Sequence, residues 1–349
     1  MLVFTNRILG PGSDASAFGG AFTPGGEQIA VAEVARDGAG WKLSNQDDDV
    51  SEVDALNLLL PLFTAGKPLL VYVHGNANPP AHCFQRLDDL RKLYPGVEVI
   101  GFSWPSEGLL SDGSPLPGVT LPSSPDEGGL AGVTPANRRD TGHDIIRCYH
   151  QAQTNAKDSV DALARLLRLL GTARLHANTQ PFSLAIHSLG AHLFQYALQV
   201  DGATESAGTA HNIALLCPCV RAAAHSEWLT RFRPKGRTYV TYNKGDNVLF
   251  GAAVADGLQT KLGTDPGLDL VHWDGVRYIS FSNAANNFGG HGYFVKGVKG
   301  KAKALFSRIF ASQPDFALPE TPKVVYPLGC DPDGAICYMA VPDAPDVLP

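Results

Sequence analysis

Ser188 lies in Phe182-Ser-Leu-Ala-Ile-His-Ser-Leu-Gly-Ala-His192, between an apolar run of strand character and an apolar-periodic run of helix character, with Gly190 two residues on. A chain turning that sharply from strand to helix forces the serine into strained backbone geometry and exposes its hydroxyl, and small neighbours let the two elements approach. The helix N-terminus then faces whatever the hydroxyl attacks, which favours an oxyanion. A neutral hydroxyl is a poor nucleophile until a histidine nitrogen accepts its proton. A histidine, and an acid to orient it, must therefore come from elsewhere in the chain. Pro105-Ser106-Glu107-Gly108 shows the same x-S-x-G spacing, but a Pro/Gly loop follows it instead of a helix, so Ser188 is the preferred nucleophile. His187 and His192 are five apart, not the four that sets two zinc ligands on one helix face, and no metal or cofactor is expected.

The elements that must position these residues alternate short β-rich runs with helix-period segments, the pattern of a mostly parallel sheet covered by helices. Strands are expected at Leu69 to Val73, Val97 to Phe102, Phe182 to His187, Ile213 to Leu216, Thr238 to Tyr242 and Val276 to Phe281. Most are apolar throughout, as strands buried on both faces should be. Phe84, Leu87, Leu90 and Leu93 predict a helix between Pro79-Pro80 and Pro95-Gly96. A longer helix is expected from Thr141 to Leu170 with Gly171 as its end, another from Leu189 to Asp201-Gly202, and a last one carrying Ala302, Leu305, Phe306 and Ile309.

The opening segment, with Phe18-Gly-Gly20 and Pro24-Gly-Gly26 around Ile29 to Val34, reads as an antiparallel edge with tight turns. Pro105 to Arg139 has no periodicity and is long for a plain connection; it is expected either to cover the site as a lid or to form a surface insertion. A single domain over 1–320 and a C-terminal hairpin with a Pro-rich tail over 321–349 are expected. In that hairpin Cys330 and Cys337 face each other across Asp331-Pro-Asp-Gly334, with a disulfide left open.

Composition narrows the partners. The chain has 349 residues, 44% hydrophobic and 18% charged, with net charge -6 and pI near 6.0. That balance gives no electrostatic reason to expect nucleic acid or an anionic membrane. The first eight residues are too short an apolar run for a secretory signal, and no stretch approaches a membrane span, so a cytoplasmic protein is expected, with a small-molecule ester or acyl substrate left open. Cys217 and Cys219 flank Pro218 too tightly for a zinc ribbon and read as inert thiols.

Taken together, the Ser188 turn, Tyr72-Val-His-Gly75, Gly101-Phe-Ser-Trp-Pro-Ser106, Tyr242-Asn-Lys-Gly-Asp246 and His291-Gly-Tyr-Phe294 resemble the α/β-hydrolase superfamily. Within it the likeness is to a bacterial subgroup of hydrolases of unknown function, over roughly Leu69 to Phe294. The resemblance implies an α/β-hydrolase fold and a triad in the chain order serine, acid, histidine. Asp246, directly after the strand Thr238 to Tyr242, then takes the acid's place, with Asp269 and Asp274 as lesser candidates; Asp246 also suits a helix N-cap before Val248-Leu-Phe250, and the two roles are compatible. His291, after the Gly-rich Phe288-Gly-Gly290, takes the base's place ahead of His272. The resemblance also implies an oxyanion hole from the backbone N–H groups of Leu189 and Asn76.

Ile186 departs from the family's small residue two before the serine, which predicts a slightly opened turn or a displaced helix. Trp104, Leu249 and Phe250 lie near the C-terminal ends of strands, where such sheets bind ligands, and are expected to line an apolar acyl pocket. The leading function is a carboxylesterase or lipase. Thioester or amide hydrolysis or acyl transfer on the same triad comes second, and a non-catalytic binding protein on the same fold third.

Overall fold

A computed structural model describes residues 1–119, 138–177, 180–271, 275–282, 290–298, 300–314, 328–330 and 336–339. Its strands are β1 (Leu2–Thr5), β2 (Arg7–Leu9), β3 (Phe18–Phe22), β4 (Ala30–Asp37), β5 (Gly40–Asp47), β6 (Leu69–Val73), β7 (Glu98–Ser103), β8 (Phe182–His187), β9 (Asn212–Leu216), β10 (Thr238–Tyr242), β11 (Val276–Ser280), β12 (Leu328–Cys330) and β13 (Ile336–Met339). Its α-helices are α1 (Glu52–Thr64), α2 (Pro80–Leu93), α3 (Arg138–Asp158), α4 (Val160–Ala177), α5 (Gly190–Ala197), α6 (Ala203–Ala207), α7 (His225–Leu229), α8 (Asn247–Ala255) and α9 (Gly300–Phe310).

Eleven strands form one sheet in the order β12-β13-β11-β10-β9-β8-β6-β7-β1-β4-β5. From β13 to β1 all neighbours are parallel, and only the outer pairings β12/β13, β1/β4 and β4/β5 are antiparallel. The all-apolar runs explain the parallel part: every residue of β6, β8, β9 and β10 is buried, because helices cover both faces. The chain passes from β6 to β7 on one side and then returns to β8 on the other. The loops after β6 and β8 therefore diverge at the C-terminal edge of the sheet, which is where open α/β sheets leave a crevice.

Several expectations need correction. The helix expected from Thr141 to Leu170 is two helices broken at Ser159. The Asp158 carbonyl accepts from the Gly25 N–H at 2.8 Å, and the Ser159 hydroxyl donates back to the Asn155 carbonyl at 2.7 Å, a bond that bends helices. Gly171 does not end α4 but lies inside it, where an added Cβ would come within 3.2 Å of the Ser206 Cβ. It is there for the close approach of α6. Phe18-Gly-Gly20 is strand rather than turn, and forms β3, which pairs with β2 in a separate two-stranded sheet.

β1 and α1 were not anticipated. The signal for α1 was local: the Ser51 hydroxyl accepts from the Asp54 N–H at 3.1 Å, a cap ahead of the buried Ala55, Leu59 and Phe63. Of the long insertion, 105–119 is tied down, with Ser111 accepting from the Phe22 N–H at 2.9 Å. The rest, 120–137, and with it the expected lid, lies outside the described residues. Cys330 pairs with Cys337 in the β12/β13 register, and their side chains lie outside the described ones. Among the described residues no helix is long and apolar enough to cross a membrane.

Candidate active site

Ser188 follows β8 at φ +52°, a left-handed conformation that a residue with a Cβ holds only when its surroundings impose it. They do so from three sides. The Ser188 N–H donates to Leu216 at 2.9 Å, while its carbonyl accepts from Ala191 and Cys219, each at 3.0 Å. An added Cβ on Gly75 would fall 2.6 Å from the Ser188 Cβ, and one on Gly190 would fall 2.6 Å from the His74 carbonyl oxygen. Both glycines are needed for this approach. Ile186 causes no break, since β8 stays in register with β6 and β9 across it.

Asp246 is the N-cap of α8 and is 1% exposed. Its Oδ1 accepts from the N–H groups of Val248 and Leu249, each at 3.0 Å, and its Oδ2 accepts from His291 Nδ1 at 2.7 Å. One carboxylate thus caps a helix and fixes an imidazole. With Nδ1 protonated toward the acid, His291 presents Nε2 as a base. Asp269 is elsewhere, accepting from the Ser226 hydroxyl at 2.8 Å; Asp274 and His272 lie outside the described residues.

The placement of His291 depends on side chains that sequence reasoning missed. His187 Nε2–H at 3.2 Å and the Cys217 thiol at 3.1 Å both donate to the His291 carbonyl, and Asn243 Nδ2 donates to the preceding Gly290 carbonyl at 3.2 Å. Only the positions of His187 and Cys217 at the ends of adjacent strands hinted at this. His187, Cys217 and His291 also offer ligand atoms within 4.8 Å of one another. A metal would require the Cys217 thiol to give up the proton it donates. Burial opposes that loss at Cys217, pushing its thiol well above the usual range, with the Asp246 charge adding to the effect. Burial likewise keeps His187 neutral, aided by His291 and Arg86.

On the other side of Ser188 runs the loop after β6. Among the described residues, neither the Asn76 nor the Leu189 backbone N–H has a hydrogen-bond acceptor, and these are the two groups expected to form the oxyanion hole. His74 is fully enclosed, and its rings stack on Trp104 with centroids 5.6 Å apart. Burial lowers its pKa to about 3. The Ser188 hydroxyl itself has no hydrogen-bond partner among the described residues.

The apolar wall expected from Trp104, Leu249 and Phe250 needs correction. Trp104 is 0% exposed and donates from Nε1 to the His74 carbonyl at 2.8 Å. Leu249 is buried beside Gly263, whereas Phe250 points outward at 64% exposure. The structure does not bring these three side chains to one exposed surface.

Comparison with known proteins agrees with this architecture. The model of the family described as alpha/beta hydrolase of unknown function (DUF900) matches residues 60–265. That stretch includes the loop after β6, Ser188 and Asp246, and ends before His291. Neither the curated proteins nor the solved structures gave a match. With more than half of its length matched, and a mostly parallel sheet carrying a strained serine between strand and helix, the chain belongs to this alpha/beta hydrolase family of unknown function.

Proposed function

We propose that the protein is a serine hydrolase that cleaves carboxylic esters through an acyl-enzyme on Ser188, with His291 as base and Asp246 as its orienting acid. The observation that carries the proposal is the Asp246–His291 hydrogen bond of 2.7 Å on the same sheet edge as a serine held at φ +52°. In the first step Ser188 Oγ attacks the ester carbonyl and passes its proton to His291 Nε2, while Asp246 stabilises the imidazolium without taking the proton. The oxyanion is met by the N–H groups of Asn76 and Leu189, the latter at the N-terminus of α5. Collapse expels the alcohol, which takes the proton from His291, and water then repeats the cycle on the acyl-enzyme.

The first step requires Ser188 Oγ to come within hydrogen-bond reach of the imidazole. Free thiols at Cys83, Cys148, Cys217 and Cys219 suit the reducing cytoplasm expected for the protein.

Fluorophosphonate labelling tests the proposal. Wild type should label and Ser188→Ala should not. Labelling that persists in the variant would move the nucleophile elsewhere, and a folded wild type that fails to label would favour a binding protein on this fold. Turnover of p-nitrophenyl esters of increasing chain length then defines the acyl group.

A further inference from the structure

The segment Gly101-Phe-Ser-Trp-Pro-Ser106 lies against the loop after β6 and bonds to it at His74, Ala77 and Asn78. The Trp104 N–H donates to His74 Nε2 at 3.0 Å, so that nitrogen carries no proton and Nδ1 must. His74 Nδ1–H then donates to the Gly75 carbonyl at 2.9 Å, and Asn78 Nδ2 donates to the same oxygen at 3.3 Å and to the Asn76 carbonyl at 2.7 Å. Ser106 completes the bracket. Its carbonyl accepts from the Ala77 N–H at 2.9 Å, its Oγ accepts from the Asn78 N–H at 3.0 Å, and its hydroxyl donates to the Asn78 carbonyl at 3.4 Å.

Two features show what the bracket does. A trans peptide is planar, with its C=O and N–H pointing in opposite directions. Fixing the Gly75 carbonyl therefore fixes the direction of the Asn76 N–H at the other end of the same plane. Gly75 itself abuts Ser188, so this N–H belongs to a peptide beside the nucleophile. Second, Ala77 stands at φ +52°, an unfavourable conformation for alanine that persists only where neighbouring groups over-determine it. The two acceptors on Ser106 take the N–H groups of Ala77 and Asn78 and supply that constraint. Ser106 is 0% exposed and stands on fixed ground, since the Pro105 carbonyl accepts from Asn155 Nδ2 on α3 at 2.9 Å.

We infer that Ser106, with Asn78, is a positioning residue for the oxyanion donor Asn76: the hydroxyl holds the left-handed turn at Ala77 and thereby aims the Asn76 N–H at the carbonyl oxygen under attack by Ser188. The inference rests on the serine-hydrolase reading above. It adds a residue that acts only through the loop, and so acts on the transition state rather than on substrate binding.

The test measures ester turnover, affinity for an aryl trifluoromethyl ketone, fluorophosphonate labelling and thermal unfolding in wild type, Ser106→Ala, Ser106→Thr and Asn78→Asp. The ketone forms a tetrahedral adduct with the serine, and its oxyanion needs the same donors. Losing an oxyanion donor outright costs about 10²- to 10³-fold in kcat, so misaiming one should cost roughly 10- to 100-fold in Ser106→Ala, with KM changed less than about twofold. Ketone affinity should fall by the same factor as kcat/KM. Ser106→Thr, which keeps the hydroxyl, should recover most of the loss. Asn78→Asp removes both side-chain donors from the loop carbonyls without changing size, and should reproduce the kcat-selective loss even where a variant at 106 folds poorly. A folded Ser106→Ala with wild-type kcat, or one that loses kcat but keeps its ketone affinity, overturns the inference. A wild type that neither labels nor turns over ester overturns the parent reading, and this inference with it.

Discussion

Ser188 and His291 reach the same edge of the sheet by opposite means. The serine is placed by backbone: its amide bonds to the end of β9, its carbonyl to Cys219 beyond it and to the first turn of α5, and two glycines allow the approach. The histidine is placed by side chains: Asp246 holds its ring, His187 and Cys217 hold its carbonyl, and Asn243 holds the carbonyl before it. A backbone-built position should tolerate side-chain loss nearby but not an added Cβ. A side-chain-built position should behave the other way round.

The largest effect is expected on the histidine side. On the proposed reading Asp246→Asn should lower turnover by about 10⁴-fold, as loss of a triad acid does elsewhere, while the melting temperature barely moves because asparagine also caps helices. Asp246→Ala loses the cap as well and should cost about 1 kcal/mol more stability by denaturant unfolding. A large stability loss in the asparagine variant would show that the acid is chiefly structural.

On the serine side, Gly75→Ala should cost about 10²-fold or more in kcat/KM on the proposed reading, because its Cβ would fall 2.6 Å from that of Ser188 and shift the loop after β6. Wild-type activity in this variant would break the contrast.

Acid stability gives a third measure. Burial lowers the pKa of His74 to about 3 and of His192 to about 4, against an ordinary value of 6.5. Between those values the unfolded chain binds more protons than the folded one, so stability is full above about pH 6.5 and falls as pH drops toward 3 to 4. Each histidine contributes a slope of up to ~1.4 kcal/mol per pH unit in that window. Urea unfolding at a series of pH values should show a shallower slope for His74→Gln than for wild type.

Smaller still, Cys217→Ala removes one of two donors to the His291 carbonyl and should lower kcat by less than about tenfold, measured at saturating ester. Phe250→Ser, at an exposed site off the described site, should leave both kcat and melting within error, about 0.5 kcal/mol.

The same contrast explains what the sequence made legible. Ser188 was readable because a strand, a serine and a helix in succession are a local pattern, and Asp246 because a cap and the serine-acid-histidine order coincide. The buried parallel strands stood out because they are apolar at every position. β1 did not, since a four-residue run acquires meaning only from β7, whose Ser103 carbonyl accepts from the Thr5 hydroxyl across 98 residues of chain. The break at Ser159 depends on Gly25 and Asn6, far upstream, and no helical periodicity reports it. Trp104 looked like a pocket wall because its place at a strand end was visible and its bond to His74 was not.

The wing of the sheet built on β1 has a bearing on the site. Thr5 and Arg7 hold the carbonyls of Ser103 and Trp104 at 2.6 and 2.7 Å, just where the chain leaves β7. The wing thus reaches the segment that stacks on His74 from the far end of the chain, and on the proposed reading a substitution at Arg7 should be felt in ester turnover.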